Sequence, residues 1–196
     1  MQSQATAQDT SKEAPRTPAL RARYEIDPAH ASAQFRVRHL MVSYVRGELG
    51  PVSGYALIDA DDMKRSEVFA SIDATGISTR DAGRDEHLRS ADFLDVARHP
   101  TVTFRSTEIV SGTDGRLEVV GELTIRGTTR RVPLEVELSD EIRDPWGNAK
   151  RGVSAAGRVS RRDFDVNWNA SMEAGGLVVG DTVEITLDLE LVRKSE

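Results

Sequence analysis

His30, His39, His87 and His99 are the side chains of this 196-residue chain best suited to moving a proton or holding a metal near neutral pH. Their spacing matches neither H-E-x-x-H nor another close ligand pattern, so no metal site is expected, and His30 and His99 are read as bonding backbone where strands begin. The chain has no cysteine, which removes thiol nucleophiles, zinc knuckles, iron–sulfur clusters and disulfides together. It also lacks G-x-S-x-G, G-x-G-x-x-G and the P-loop. Asp163 and Asp165 flank Phe164 like an acid/base pair, but carboxylates in adjacent turn positions more often cap backbone N–H groups. No catalytic residue is assigned. What remains is recognition of a polar group by Arg80, Arg84, His87 and Arg89, which crowd one short stretch beside Leu88 with Phe93 nearby. The planar fork of arginine suits phosphate oxygens, and an imidazole suits a quinone carbonyl. The competing reading pairs Arg80, Arg84 and Arg89 with Asp81, Asp85 and Asp92 as ordinary ion pairs.

The elements that must position these groups are mostly strands. Val183, Ile185, Leu187, Leu189 and Leu191 alternate with Thr182, Glu184, Thr186, Asp188 and Glu190, which gives a strand one dry and one wet face. The same period marks Leu117–Ile125, Val132–Leu138 and Ala33–His39. Further strands are predicted at Val52–Asp59, Val68–Ala74, Val102–Val110 and Val153–Val159, with a short one at Tyr24–Asp27. Turn residues stand between them at Gly112–Gly115, Arg126–Thr128 and Asp144–Asn148. One segment, Arg84–Asp95, is rich in helix formers and follows a plausible N-cap in Asp81, so it reads as a short helix that could cover one end.

About eight antiparallel strands, each with one apolar face, bury those faces either in a sandwich or in a closed barrel. Several inward positions carry small residues (Ala33, Gly54, Ala56, Ala70, Ala74, Gly121, Ala155 and Gly157), and aromatics number only 5 Phe, 3 Tyr and 2 Trp. A barrel lined this way is hard to fill, which favours an apolar tunnel. A flattened sandwich with tightly packed small residues stays open as the alternative. For the tunnel, the lining candidates are Phe35, Val37, His39, Leu40, Tyr44, Leu88, Phe93, Phe104, Leu123, Leu134, Trp168, Leu187 and Leu189. Tyr44 and Trp168 would sit at the rim, while Trp146 is read as closing a hairpin.

The formal charge of −6 argues against a nucleic-acid partner, and no apolar run approaches the ~20 residues of a membrane helix. Residues 1–23 read as a disordered polar tail ahead of a single domain over 24–194. That tail lacks the apolar stretch of a secretory signal, so the expectation is a cytoplasmic protein as written, or a periplasmic or secreted one if a leader has been removed.

The segments Tyr24–Ser32, Phe35–Leu40, Asp85–Asp95, Pro100–Phe104, Gly121–Ile125, Ser160–Phe164 and Val179–Val183 together resemble the YceI-like family. The order and spacing of these segments carry the resemblance more than any one of them. It implies an extended, lipocalin-like antiparallel barrel of the bacterial type, a polyisoprenoid chain in its bore and, as is frequent in the family, a homodimer; it does not imply catalysis. Three positions depart from the family pattern: Met41 and Asp165 stand where glycine is usual, and Arg126 where a histidine often precedes glycine. The expectation is therefore an all-β barrel with one short helix that binds, carries or stores an isoprenoid lipid or quinone and requires no cofactor. An enzyme acting on such a lipid through His39 or His87, and a filled barrel serving as an interaction module, are the alternatives.

Overall fold

The computed structural model describes residues 21–171 and 177–194. Most of the tail expected over residues 1–23 lies outside that range. The described residues form ten strands: β1 (Ala22–His39), β2 (Ser43–Glu48), β3 (Val52–Ile58), β4 (Glu67–Asp73), β5 (Thr101–Ser111), β6 (Leu117–Ile125), β7 (Thr128–Leu138), β8 (Ile142–Arg143), β9 (Ala149–Ser160) and β10 (Val179–Arg193). Eight of them close into an antiparallel ring in the order β10, β1, β3, β4, β5, β6, β7, β9, with β9 pairing back onto β10. The sandwich is thereby excluded. β2 and β8 extend the ends of β1 and β9.

The two segments expected as Tyr24–Asp27 and Ala33–His39 are one strand. Tyr24 and Ile26 face inward before an irregularity that shifts the register against β10 between Ile26 and Ala31; after it Ala33, Phe35 and Val37 face inward. A bulge that changes which parity points to the core explains why the two halves looked like separate strands. β2 escaped sequence reading because its inward residues, Val45 and Gly47, make a weak apolar signal. The hairpin between β6 and β7 is a two-residue turn with Arg126 (φ 51°) and Gly127 (φ 76°) both left-handed, as a type I′ turn requires.

Helix α1 (Ala82–Arg89) is shorter than the predicted Arg84–Asp95. Asp81 caps it as expected, its carboxylate accepting from Arg84 N at 3.0 Å. The helix stops at Ser90, whose hydroxyl donates to the His87 carbonyl at 2.8 Å and competes with the next helical bond. Turns carry the chain on to Asp95. α1 and these turns connect β4 to β5 and so sit over the barrel end marked by His39, Asp73 and Ser160.

The opposite end is closed by polar groups that satisfy one another. Buried Asp59 accepts from the N–H groups of Asp61 and Asp62 and pairs with Arg65 at 2.7 Å; burial raises its pKa, but these donors together hold it below the usual carboxylate range. The Tyr24 hydroxyl donates to Glu141, which also pairs with Arg193.

Some of the small inward residues make room for neighbours rather than for an open bore. A Cβ on Gly121 would collide with the Phe104 ring and stand 2.5 Å from the Arg105 carbonyl; on Gly157 it would meet Leu134 Cδ2 at 2.5 Å, and on Gly47 the Phe35 ring at 2.6 Å. These large side chains lie down on glycine instead of standing across the barrel. Gly121→Ala is therefore expected to destabilise the fold by about 1–3 kcal/mol, read as a lowered midpoint in urea denaturation.

Candidate functional site

The ring leaves a cavity of about 710 Å³ along its axis. Val37 on β1, Val153 on β9, and Val183, Ile185 and Leu189 on β10 point inward yet remain only partly buried, because the surface they keep faces this hollow. Ala56, Ala70 and Ala155 widen it. Its wall is apolar over most of its length, and its polar residues gather chiefly at the α1 end, as His39, Asp81, Arg84, His87 and Arg161.

Phe35, Val37, His39, Phe104, Leu123, Leu134, Leu187 and Leu189 lie on the barrel wall of this cavity, and Leu88, Phe93 and Trp168 close its α1 end. Leu40 and Tyr44 do not line it. Leu40 lies in the turn beyond His39, and Tyr44 sits on the outer face of the β1–β2 ribbon against Arg36, Arg38 and Arg46. Of the polar candidates, Arg84 and His87 line the cavity; Arg80, in left-handed backbone at φ 65°, and Arg89 do not. Val45, Leu49, Val183, Ile185 and Arg161 were not among the expected lining residues. The alternation along β10 contained the signal for Val183 and Ile185, whereas nothing in the pattern marked Arg161 as buried.

The cover over the α1 end is held by side chains that seize backbone carbonyls. Arg89 donates to Thr75 O and Ile77 O, both at 2.7 Å, which consumes its fork and explains its absence from the cavity. Arg84 donates to Thr79 Oγ1 at 2.7 Å and Thr79 O at 2.9 Å, with Asp81 4.0 Å away. Buried Arg161 donates to the carbonyls of Val166 (2.6 Å), Trp168 (2.8 Å) and Gly180 (3.0 Å), and so positions Trp168. Within the cover the His87 ring stands edge-on to Phe93 (centroids 5.0 Å) and to Trp168 (4.7 Å), and its Nε2 lies 2.9 Å from Asp92.

The remaining chemistry-bearing residues are accounted for structurally. Asp165, left-handed at φ 60°, accepts from the Thr128 hydroxyl at 2.7 Å, a turn role rather than half of an acid/base pair. His30 bonds Asp27 at 2.9 Å rather than backbone, and Glu190 lies 3.7 Å from it. That trio has the spacing of a metal site, but Lys150 Nζ already stands 2.6 Å from Glu190, and this pairing raises the lysine pKa. His99 packs its ring against Gly127.

Asp85 ties α1 to the strand-like segment before it. Its Oδ1 accepts from Thr79 Oγ1 at 2.5 Å and Thr79 N at 2.7 Å. These bonds, with Arg89 and Arg84 nearby, hold its carboxyl below the usual carboxylate range despite burial. A depressed native pKa stabilises the fold above the unfolded value near pH 4 and is lost as pH falls through the native one. Asp85→Asn should therefore melt lower than the parent at pH 7, and the difference should shrink as the pH falls below the unfolded value near 4 in a series of thermal melts.

The chain resembles solved barrels in shape. A Burkholderia cenocepacia protein, BcnA, superposes with a TM-score of 0.73 at 19% identity, covering 84% of this chain and 98% of its own. A domain from Saccharophagus degradans, described as polyisoprenoid-binding and implicated in plant cell wall breakdown, superposes at 0.62 with 17% identity, over 87% and 98%. Nearer in sequence are a UPF0312 protein of Pectobacterium atrosepticum, 37% identical over 90% of this chain and 89% of its own, and the YceI protein of Escherichia coli O157:H7, 37% identical over 76% and 78%. The YceI-like domain matches residues 24–191. The chain belongs to the YceI-like family.

Proposed function

We propose that this protein carries or stores a neutral long-chain isoprenoid, a quinone or a polyprenol, in its bore without changing it chemically. The observation that carries the reading is the unfilled apolar cavity of about 710 Å³, whose wall hydrophobics keep surface accessible inside the barrel. Family membership and the polyisoprenoid-binding description of the Saccharophagus degradans domain support it. Burying a methylene contributes ~0.8 kcal/mol, so each five-carbon unit offers ~3–4 kcal/mol gross. A few units offset the costs of association and reach the ~8 kcal/mol of micromolar binding with no hydrogen bond. No cofactor is needed for that.

In this reading Phe35, Val37, Phe104, Leu123, Leu134, Leu187 and Leu189 hold the chain, and Leu88, Phe93 and Trp168 close over it. His39 and His87 meet the terminal group. A neutral terminus is favoured over a diphosphate because Arg84 already directs its donors to Thr79, and Arg89 its donors to Thr75 and Ile77. A buried diphosphate would require free cations in the bore.

Native mass spectrometry of protein purified from its own host should show an unmodified isoprenoid of defined mass. Ile185→Trp, which fills the hollow, and Leu123→Arg, which charges it, should lose that mass while retaining the strand signature in circular dichroism. Turnover of an added isoprenoid would favour an enzyme instead, and an empty barrel that long-chain isoprenoids do not stabilise would leave an interaction module.

A further inference from the structure

The turn joining β1 to β2 places three apolar residues in a row in solvent: Leu40 is 37% exposed, Met41 62% and Val42 79%. Leu40 and Met41 hold left-handed backbone at φ 51° and 59°, and Val42 N closes the turn on the His39 carbonyl at 3.1 Å. Leu40 N also donates to Val178 O at 2.8 Å, which brings Leu177, itself 38% exposed, to the same spot. Four of the six exposed large hydrophobics among the described residues thus sit together; Ile142 and Trp146 lie at the opposite barrel end.

Behind this tip, on the outer face of the ribbon, Arg36, Arg38 and Arg46 surround Tyr44, with guanidinium carbons 4.9, 4.2 and 5.8 Å from the ring centroid. Cross-strand pairing of Arg38 with Tyr44 and of Arg36 with Arg46 puts all four on one face. Arg36 bonds Glu184; Arg38 and Arg46 have no acidic partner among the described residues. Glu48, the acid at the far end of β2, pairs with Gln34 across the ribbon. In a chain of net charge −6 this is a local cationic collar.

We infer that the β1–β2 hairpin is a docking element for an anionic lipid surface. The tip is a narrow protrusion, unlike the broad face of about 800 Å² per partner that a stable dimer buries. Tyr44 is the second residue of β2, directly behind the turn that ends at Val42, so inserting the tip brings the arginines around it to headgroup level. Arginine and tyrosine, each with an apolar body and a polar end, suit that layer. The tip directly follows His39 of the cavity wall, so docking would set the polar end of the bore against the bilayer. That this serves ligand exchange rests on the carrier reading; the docking itself does not.

The test is flotation of the full chain with phosphatidylcholine vesicles, with and without phosphatidylglycerol. Binding should require phosphatidylglycerol and fall as salt rises. The double variant Met41→Asp with Val42→Asp, and separately Arg38→Glu with Arg46→Glu, should each weaken binding about tenfold or more. Both pairs are exposed, and circular dichroism and thermal melts should match the parent. No flotation, or flotation unaffected by either pair, would overturn the inference. So would a dimer in sedimentation analysis that the Met41/Val42 variant dissolves. Mass spectrometry of bound isoprenoid in these variants keeps the two readings apart. Retained ligand without flotation sinks only the docking element, and flotation of a protein that never holds ligand sinks only the carrier.

Discussion

Closing eight strands into a ring obliges half of their side chains to share one interior, and the width of that interior is set by strand number rather than by what the sequence has to fill it with. Here the occupants are mostly valine, leucine, isoleucine and alanine, and Phe35, Phe104 and Leu134 lie over glycines on the wall. Stability then comes from the continuous ladder and from contacts along the wall, and the axis stays hollow. A hollow of apolar side chains too small to meet across it loses packing contacts that a suitable ligand would restore. The same geometry that makes the barrel close also makes it receptive.

The wall was legible and the ends were not. Period-two alternation marked the apolar face of β10, β7 and β6, because each has a wet outer face and a dry inner one. It found both halves of β1 but read them as two strands, because a bulge reverses the parity between Ile26 and Ala33, and it missed β2, where Gly47 replaces the apolar residue that would have shown the period. Tyr44 looked like a rim aromatic, yet its pairing with Arg38 turns it outward. Which carbonyls Arg84, Arg89 and Arg161 would seize is a tertiary fact with no local signature, so cations that looked free to bind a ligand are largely occupied.

The three positions at which the resemblance leads one to expect another residue share a backbone conformation, and at two of them, Met41 and Asp165, the expected residue is glycine. Met41, Arg126 and Asp165 all occupy left-handed conformations, at φ 59°, 51° and 60°. Glycine is common at such positions because it has no Cβ to strain. Asp165 offsets the strain with its bond to Thr128, and Arg126 reaches the carbonyls of Asp165 and Ala91 at 2.6 Å each. Met41 makes no comparable bond among the described residues, and its side chain stands in solvent. Nothing in the fold of the described residues explains a methionine there.

The two barrel ends differ in what opening them would break. At the Asp59 end, a buried carboxylate, two backbone donors and Arg65 form a closed set, so exposing one member strands the others. At the α1 end the cover is a two-turn helix and irregular chain, held by side-chain bonds to carbonyls and by the stacking of His87, Phe93 and Trp168. Arg84, His87 and Asp92 already reach solvent there, whereas Asp85 and Arg161 are buried and would lose their partners on opening. Local opening draws on the segments with the fewest buried contacts. Opening the α1 end would leave the strand ladder intact, because α1 and its turns lie between β4 and β5 rather than within the ring.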